Sequence, residues 1–283
     1  MDRFKAKTAV ITGAGSGFGR ALALNLARKG WRIGIADIND AKAKETLKMV
    51  EQAGGKGEVF HVDVADPQSV KTMADHFYSK WKRVDLLINN AGIAVGGAIG
   101  DVSLANWKRV TDIDYFGVVY GCHEFVPRMK AQGGGHILNI ASAAGILSLA
   151  YMGTYNAAKA AVIALSETLR VEVAPDNIGV TVCCPTFFNT GLLDDMDTTS
   201  PWIGDVASTA FSNGISAETV AKRTIKAVEK NKLYAIPMIF MKILWINKRL
   251  TPGFYYALPT FLHKRGLMQP LYLKLSQWGV LSH

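Results

Sequence analysis

The chain has 283 residues, 49% of them apolar and 19% charged, which excludes a disordered chain, and its three cysteines exclude a disulfide-stapled scaffold. The net charge of +9 is confined to one end. From Lys222 to His283 there are eleven Lys/Arg against one acid, Glu229, while the preceding 221 residues are close to neutral. Charge so localised, with no nucleic-acid-binding motif, argues against a nucleic-acid partner. No run of 18 uncharged apolar residues occurs, so no conventional transmembrane helix is expected, and the N-terminus shows no apolar leader. The expected setting is the reducing cytoplasm, with peripheral membrane contact left open by the tail.

Apolar runs and amphipathic stretches alternate at a regular pace. Strands are expected at 8–12, 31–36, 58–62, 85–89, 136–140, 178–182 and, briefly, 233–236. Between them the spacing predicts helices at 17–29, 40–53, 67–80, 104–130, 154–174 and 216–230. Asp66 followed by Pro67 reads as an N-cap with proline at the first helical position. Several strands are almost continuously apolar, as in a parallel sheet covered on both faces. Seven alternations without a linker point to one doubly wound α/β domain over 1–240, with 241–283 as an extension. The stretch 186–215 breaks the pace and reads as a mobile lobe over a site.

The first strand leads into Thr12-Gly-Ala-Gly-Ser-Gly-Phe-Gly19, which opens the first helix. Glycines there permit a tight turn and close backbone approach to a pyrophosphate, whose charge is favoured at a helix N-terminus. Gly13, Ser16, Gly17, Phe18 and Gly19 are therefore candidate dinucleotide contacts. About 20 residues on, the second strand ends at Asp37-Ile38. A carboxylate there accepts both ribose hydroxyls of an adenosine and repels a 2′-phosphate, and no basic residue follows at the strand end, so NAD is expected over NADP. Asp37 as a plain helix N-cap is the competing reading.

Tyr155 and Lys159 are four apart, hence on one face of a helix. A free tyrosine is a weak base at neutral pH, and a neighbouring ammonium favours its phenolate. Ser142 follows a strand at its carboxyl end, where ligands of doubly wound sheets bind. Together with Asn89-Asn-Ala-Gly92 and Pro185…Thr190, these residues resemble the short-chain dehydrogenase/reductase family over about 5–240. The resemblance implies a Rossmann-type sheet of about seven strands, a nicotinamide cofactor, and hydride exchange between an alcohol and a ketone or aldehyde. By position it makes Tyr155 the general acid/base, with Ser142 orienting the substrate oxygen. Lys159 would bind the nicotinamide ribose and lower the tyrosine pKa. Asp63 and Val64 match the adenine contact, Asn90, Ala91 and Gly92 the ribose-side wall, and Pro185 and Thr190 the carboxamide side. Two departures stand out. Asp114 occupies a place the family usually gives to Asn, whose main-chain carbonyl helps hold a relay water, and Pro185-Thr186 replaces Pro-Gly. The helix carrying Asp114 and the Tyr–Lys helix build the family's dimer interface, so a homodimer or homotetramer is implied.

Cys183 and Cys184 are adjacent on a strand, Cys122 has no partner at metal spacing, and the six histidines form no cluster, so no metal is expected. Phe187, Phe188, Leu192, Leu193, Met196, Trp202 and Phe211 make the lobe apolar and point to a lipophilic alcohol or ketone. An NADPH-dependent ketoreductase and a non-catalytic dinucleotide-binding scaffold are the alternatives. In the tail, aromatic clusters are interrupted by Lys242, Lys248-Arg249 and Lys264-Arg265. Two occupants for it stay open: a membrane surface, or the site of a neighbouring subunit.

Overall fold

The structure is a computed structural model that describes residues 4–188 and 197–278. Its strands are β1 (Thr8–Thr12), β2 (Arg32–Asp37), β3 (Lys56–His61), β4 (Leu86–Asn89), β5 (Val95–Gly96), β6 (Gly135–Ile140), β7 (Ile178–Cys183), β8 (Asp197–Thr198) and β9 (Tyr234–Ala235). Seven form one parallel sheet in the order β3-β2-β1-β4-β6-β7-β9, while β5 and β8 pair separately. β1, β4, β6 and β7 are buried along their whole length. That is why they are apolar without alternation: both faces of a parallel sheet carry helices.

The covering helices are α1 (Gly17–Ala27), α2 (Asp40–Gln52), α3 (Pro67–Trp81), α4 (Leu104–Thr111), α5 (Gly117–Ala131), α6 (Ala143–Leu147), α7 (Gly153–Glu172), α8 (Pro201–Ser212) and α9 (Ala217–Glu229). α1 packs on α2 and α9, and α3 packs on α5. As expected, Asp66 caps α3, accepting from Gln68 N and Ser69 N ahead of Pro67. The helix expected over 104–130 is not continuous. A π-helical turn over Asp112–Phe116 separates α4 from α5, and it carries Asp114. Single π-turns of this kind cluster at functional sites, because the extra residue re-aims a side chain that an α-helix would place elsewhere. Three further helices follow β9: α10 (Ile239–Leu250), α11 (Pro252–Lys264) and α12 (Met268–Gln277).

A buried polar chain fixes the middle of the sheet. Asn89 Nδ2 donates to Asn139 Oδ1 at 2.8 Å, Asn139 Nδ2 to Ser166 Oγ at 3.0 Å, and Ser166 Oγ to Val162 O at 2.7 Å. It joins β4, β6 and α7, the three elements that carry Asn90, Ser142 and Tyr155 at or near their ends. The three cysteines are buried and free; burial pushes the Cys122 and Cys183 thiols up to about 12, so they are packing groups rather than nucleophiles. On the other flank Phe77 fills the space left by Gly34, where a Cβ would lie 2.6 Å from the ring. Phe77 is fully buried and packs on Trp81 with ring centroids 4.6 Å apart. Phe77→Ala is expected to cost about 3–5 kcal/mol in urea unfolding; a loss below about 1 kcal/mol would contradict this packing.

Candidate active site

The strand order reverses between β1 and β4, and the crevice at their carboxyl ends opens into a cavity of ≈ 720 Å³. The turn after β1 forms its floor. Gly13 and Gly17 have φ of +63° and +51°, and a Cβ on Gly19 would lie 2.2 Å from Gly13 O. Glycine is therefore required where this helix start meets its own turn. Asn90 braces the turn: its Nδ2 donates to Thr12 O at 2.9 Å and to Gly13 O at 3.1 Å. Ser16 and Phe18 line the cavity beside the glycines, and Ser16, at the N-cap of α1, makes no side-chain cap bond. The positive end of α1 is thus turned to the cavity.

At one end stands Asp37. Its carboxylate accepts from Gly15 N at 2.7 Å and Asn39 N at 2.8 Å. The N-cap of α2 is Asn39, which accepts from Lys42 N, so the competing reading of Asp37 as a cap is corrected. Ile38, Asp63 and Val64 line the same end. So does Lys42, a cation that the search for a base at the strand end itself passes over. Ala91 and Gly92 continue the wall.

The middle of the cavity holds the hydroxyl and amine groups. Ser142 caps α6, its Oγ accepting from Ala144 N at 3.1 Å. Tyr155 lies in the first turn of α7, and Lys159 one turn on, with Nζ 5.5 Å from the Tyr155 ring centroid. Lys159 Nζ donates to Ile140 O at 3.2 Å and forms an ion pair with Asp114 Oδ2 at 3.0 Å. Asp114 Oδ1 accepts from Ile93 N at 2.8 Å. A Cβ on Gly92 would lie 3.0 Å from Asp114 Oδ2 and 3.2 Å from Lys159 Nζ, so this glycine makes room for the pair. Reading Asp114 through its main-chain carbonyl overlooks this: the carboxylate itself reaches the lysine.

Charge and burial compete here. Burial raises the Asp114 carboxyl, against the pull of Lys159 and the Ile93 amide. Burial works against the Lys159 ammonium, but the charges of Asp114 and Tyr155 outweigh it and hold the amine up. Burial also raises the Tyr155 phenol; Lys159 and the Ser142 hydroxyl pull it down, and Asp114 pushes it up. The net direction is upward, although Lys159 lowers the tyrosine as expected. Its pull is outweighed by desolvation and by Asp114.

The profile of the short chain dehydrogenase family matches residues 7–200. The chain belongs to that family. It is 31% identical over 255 residues to the CLA biosynthesis dehydrogenase/reductase of Lactiplantibacillus plantarum, covering 83% of this chain and 89% of that protein. It is 33% identical over 197 residues to the cyclohexanol dehydrogenase of Acinetobacter sp. strain SE19, covering 69% and 78%. Among solved structures, a short-chain dehydrogenase/reductase from Burkholderia phymatum in complex with NAD superposes with a TM-score of 0.83 at 32% identity, over 88% of this chain and 95% of that one.

Where this short-chain dehydrogenase departs from the family motif after strand β7, the backbone accommodates it. Thr186 is not among the residues with positive φ, so the freedom of the missing glycine is not needed. Its Oγ1 is buried beside the cavity without a hydrogen-bond partner. Pro185 lines the same wall and accepts from Ala143 N at 2.8 Å. Thr190, with Leu192, Leu193 and Met196 of the expected lobe, lies outside the described residues. Of the rest of that lobe, Phe187, Phe188 and Phe211 line the cavity, while Trp202 packs edge-on against Tyr151. Among the described residues no three His, Cys, Asp or Glu side chains are grouped to hold a metal ion.

The far wall comes from residues that motif reasoning left unassigned. Met241 and Leu244 of α10, Tyr255 and Leu262 of α11, and Tyr272 of α12 all line the cavity. The tail therefore folds over the site of its own chain, an arrangement outside the two occupants the sequence left open. Polar bonds help to hold it there. Lys248 Nζ donates to Ile146 O at 2.5 Å, Tyr255 Oη to Leu147 O at 3.3 Å, and the Tyr151 hydroxyl meets His263 Nε2 at 3.3 Å. Helical periodicity through 239–278 was the one available signal, and interruptions by Pro252, Pro259 and Pro270 disguise it.

Proposed function

We propose that this protein is an NAD-dependent oxidoreductase acting on a lipophilic alcohol/ketone pair. One observation carries the reading: a single cavity is lined in turn by the glycine turn with Asp37, by Ser142, Tyr155 and Lys159, and by apolar walls from Phe188, α8 and α10–α12. The residues fit a dinucleotide. The turn needs glycine at 13, 17 and 19, the positive end of α1 faces the cavity, and the buried Thr186 hydroxyl is left to bond a polar ligand group. Gly13, Ser16, Gly17 and Phe18 would hold the pyrophosphate side, Asp37, Ile38, Asp63 and Val64 the adenosine, Asn90 the ribose-side wall, and Lys159, Pro185 and Thr190 the nicotinamide side. Asp37 favours NAD because its charge disfavours a 2′-phosphate, although Lys42 lines the same end. The Burkholderia relative was solved with NAD, and the Acinetobacter relative is named for an alicyclic alcohol, which supports both halves of the reading.

Nicotinamide, when bound, accepts or supplies the hydride. In alcohol oxidation Tyr155 Oη takes the hydroxyl proton as the substrate carbon gives up its hydride; in the reverse direction the phenol returns that proton to the carbonyl oxygen. Ser142 orients the substrate oxygen beside Tyr155. Lys159 stabilises the phenolate, and Asp114 holds Lys159 in place. The aromatic and aliphatic walls exclude water and admit a lipophilic chain. Subunit pairing through α5 and α7 belongs to this reading, as does the choice of 1–240 and 241–283 as catalytic body and cap.

Three outcomes test it. Tyr155→Phe removes the transferable proton, so turnover falls by about 10²–10⁴ while NADH binding, followed by fluorescence, survives; near-normal turnover would refute the assignment. Asp37→Ala weakens NADH binding and relaxes discrimination against NADPH, and catalytic efficiency across straight-chain alcohols rises with chain length; tighter NADPH than NADH binding by the unaltered protein, or a preference for sugars, ends the reading. Because Asp114 pushes the Tyr155 phenol up, Asp114→Asn moves the rise of alcohol oxidation with pH to lower pH, seen in the kcat/KM profile. A shift to higher pH would show that its carboxylate is not the group that raises Tyr155.

A further inference from the structure

We propose that the outer face of α10 and α11 docks on an anionic lipid bilayer, so that the cavity opens against the membrane. The inference builds on the reading of the cavity as a lipophilic-alcohol site, and its geometry is independent of that reading. Along α10, Ile243, Ile246 and Leu250 recur at helical spacing and are exposed, Leu250 at 76%. Along α11, Phe254, Leu258 and Phe261 do the same. Six large apolar side chains on two adjoining helices are more than the scattered exposure of an ordinary surface. Phe254 is 67% exposed and Leu258 51%, yet both also line the cavity, so the mouth of the cavity lies within this face.

The charge on the same face selects the partner. Lys242 and Arg249 flank the apolar stripe of α10, Lys264 and Arg265 end α11, and no acidic residue follows Glu229 in the chain. The Arg265 guanidinium lies over the Phe261 ring at 5.3 Å and that of Arg249 over the Trp245 ring at 4.9 Å, with aromatic and cation side by side. A second copy of the chain would bring like charges together across such a contact, whereas anionic headgroups neutralise them and the hydrocarbon edge takes the apolar stripe. Among the described residues no helix is long and apolar enough to cross a membrane. Helices of 12 and 13 residues with this pattern lie in the interface plane.

The test uses the full chain in flotation with vesicles of phosphatidylcholine alone or mixed with phosphatidylglycerol. Binding is expected to the anionic vesicles, to weaken in about 1 M salt, where screening is near 3 Å, and to be absent with phosphatidylcholine alone. Lys242→Glu/Arg249→Glu/Arg265→Glu should weaken partitioning by about 100-fold or more. Ile246→Ser/Leu250→Ser/Phe261→Ser should abolish binding, with the urea midpoint and NADH binding unchanged as controls for folding. No binding by the unaltered protein, undiminished binding by either triple variant, or binding indifferent to lipid charge would overturn the proposal. Conversion of dimers to monomers by the apolar variant in vesicle-free buffer would also overturn it and assign the face to a second copy. Turnover of cyclohexanol in vesicle-free buffer reports on the enzyme reading separately: it is unaffected if docking alone fails and absent if the oxidoreductase reading fails.

Discussion

A parallel sheet leaves no strand free to turn back on its neighbour, so each strand must be followed by a crossover that covers one face. Here the crossovers from β1 and β4 run in opposite directions, and the reversal leaves a crevice between their carboxyl ends. Everything functional in the molecule depends on that constraint. It places the glycine turn, Asn90 and, one strand further, Ser142 around a single opening. Asn90, reaching across to Thr12 O and Gly13 O, adds side-chain bonds to the β1–β4 ladder that ties the two halves of the crevice together.

Within the crevice the costly element is the Lys159 ammonium, buried at 4% side-chain exposure. An unpaired charge there would be strongly destabilising, and the fold meets it with the Asp114 carboxylate and the Ile140 carbonyl. The π-turn over 112–116 and the missing side chain of Gly92 both serve this pairing: one carries Asp114, the other clears the space between β4 and α7. The pair also sets the electrostatics of Tyr155, because the cation and the anion act on the phenol in opposite senses. A carboxylate at the place where the resemblance implies an amide therefore changes the charge of the site.

The cap is held differently. α11 buries no residue fully, and its contacts with the body are few polar bonds and the apolar cavity wall. Such an element can present apolar side chains to the cavity on one side and to the surroundings on the other, which a helix of the sheet layers cannot do.

Much of this was written in the local pattern of the chain. The seven main strands fall within two residues of their expected bounds, because continuous apolar runs bounded by helix caps have few other ways to be buried. The glycine turn, Asp37, Ser142, Tyr155 and Lys159 were legible because each needs a particular residue type at a particular offset from a strand end. What the sequence could not determine was how separated segments meet. That Asp114 turns its carboxylate to Lys159 depends on a π-turn, which has no local signature. That Tyr155 is raised rather than lowered depends on burial summed over neighbours distant in the chain. The path of α10–α12 back over their own site was decided only by the tertiary structure, since short amphipathic helices interrupted by proline have no preferred partner until an apolar cavity offers them one.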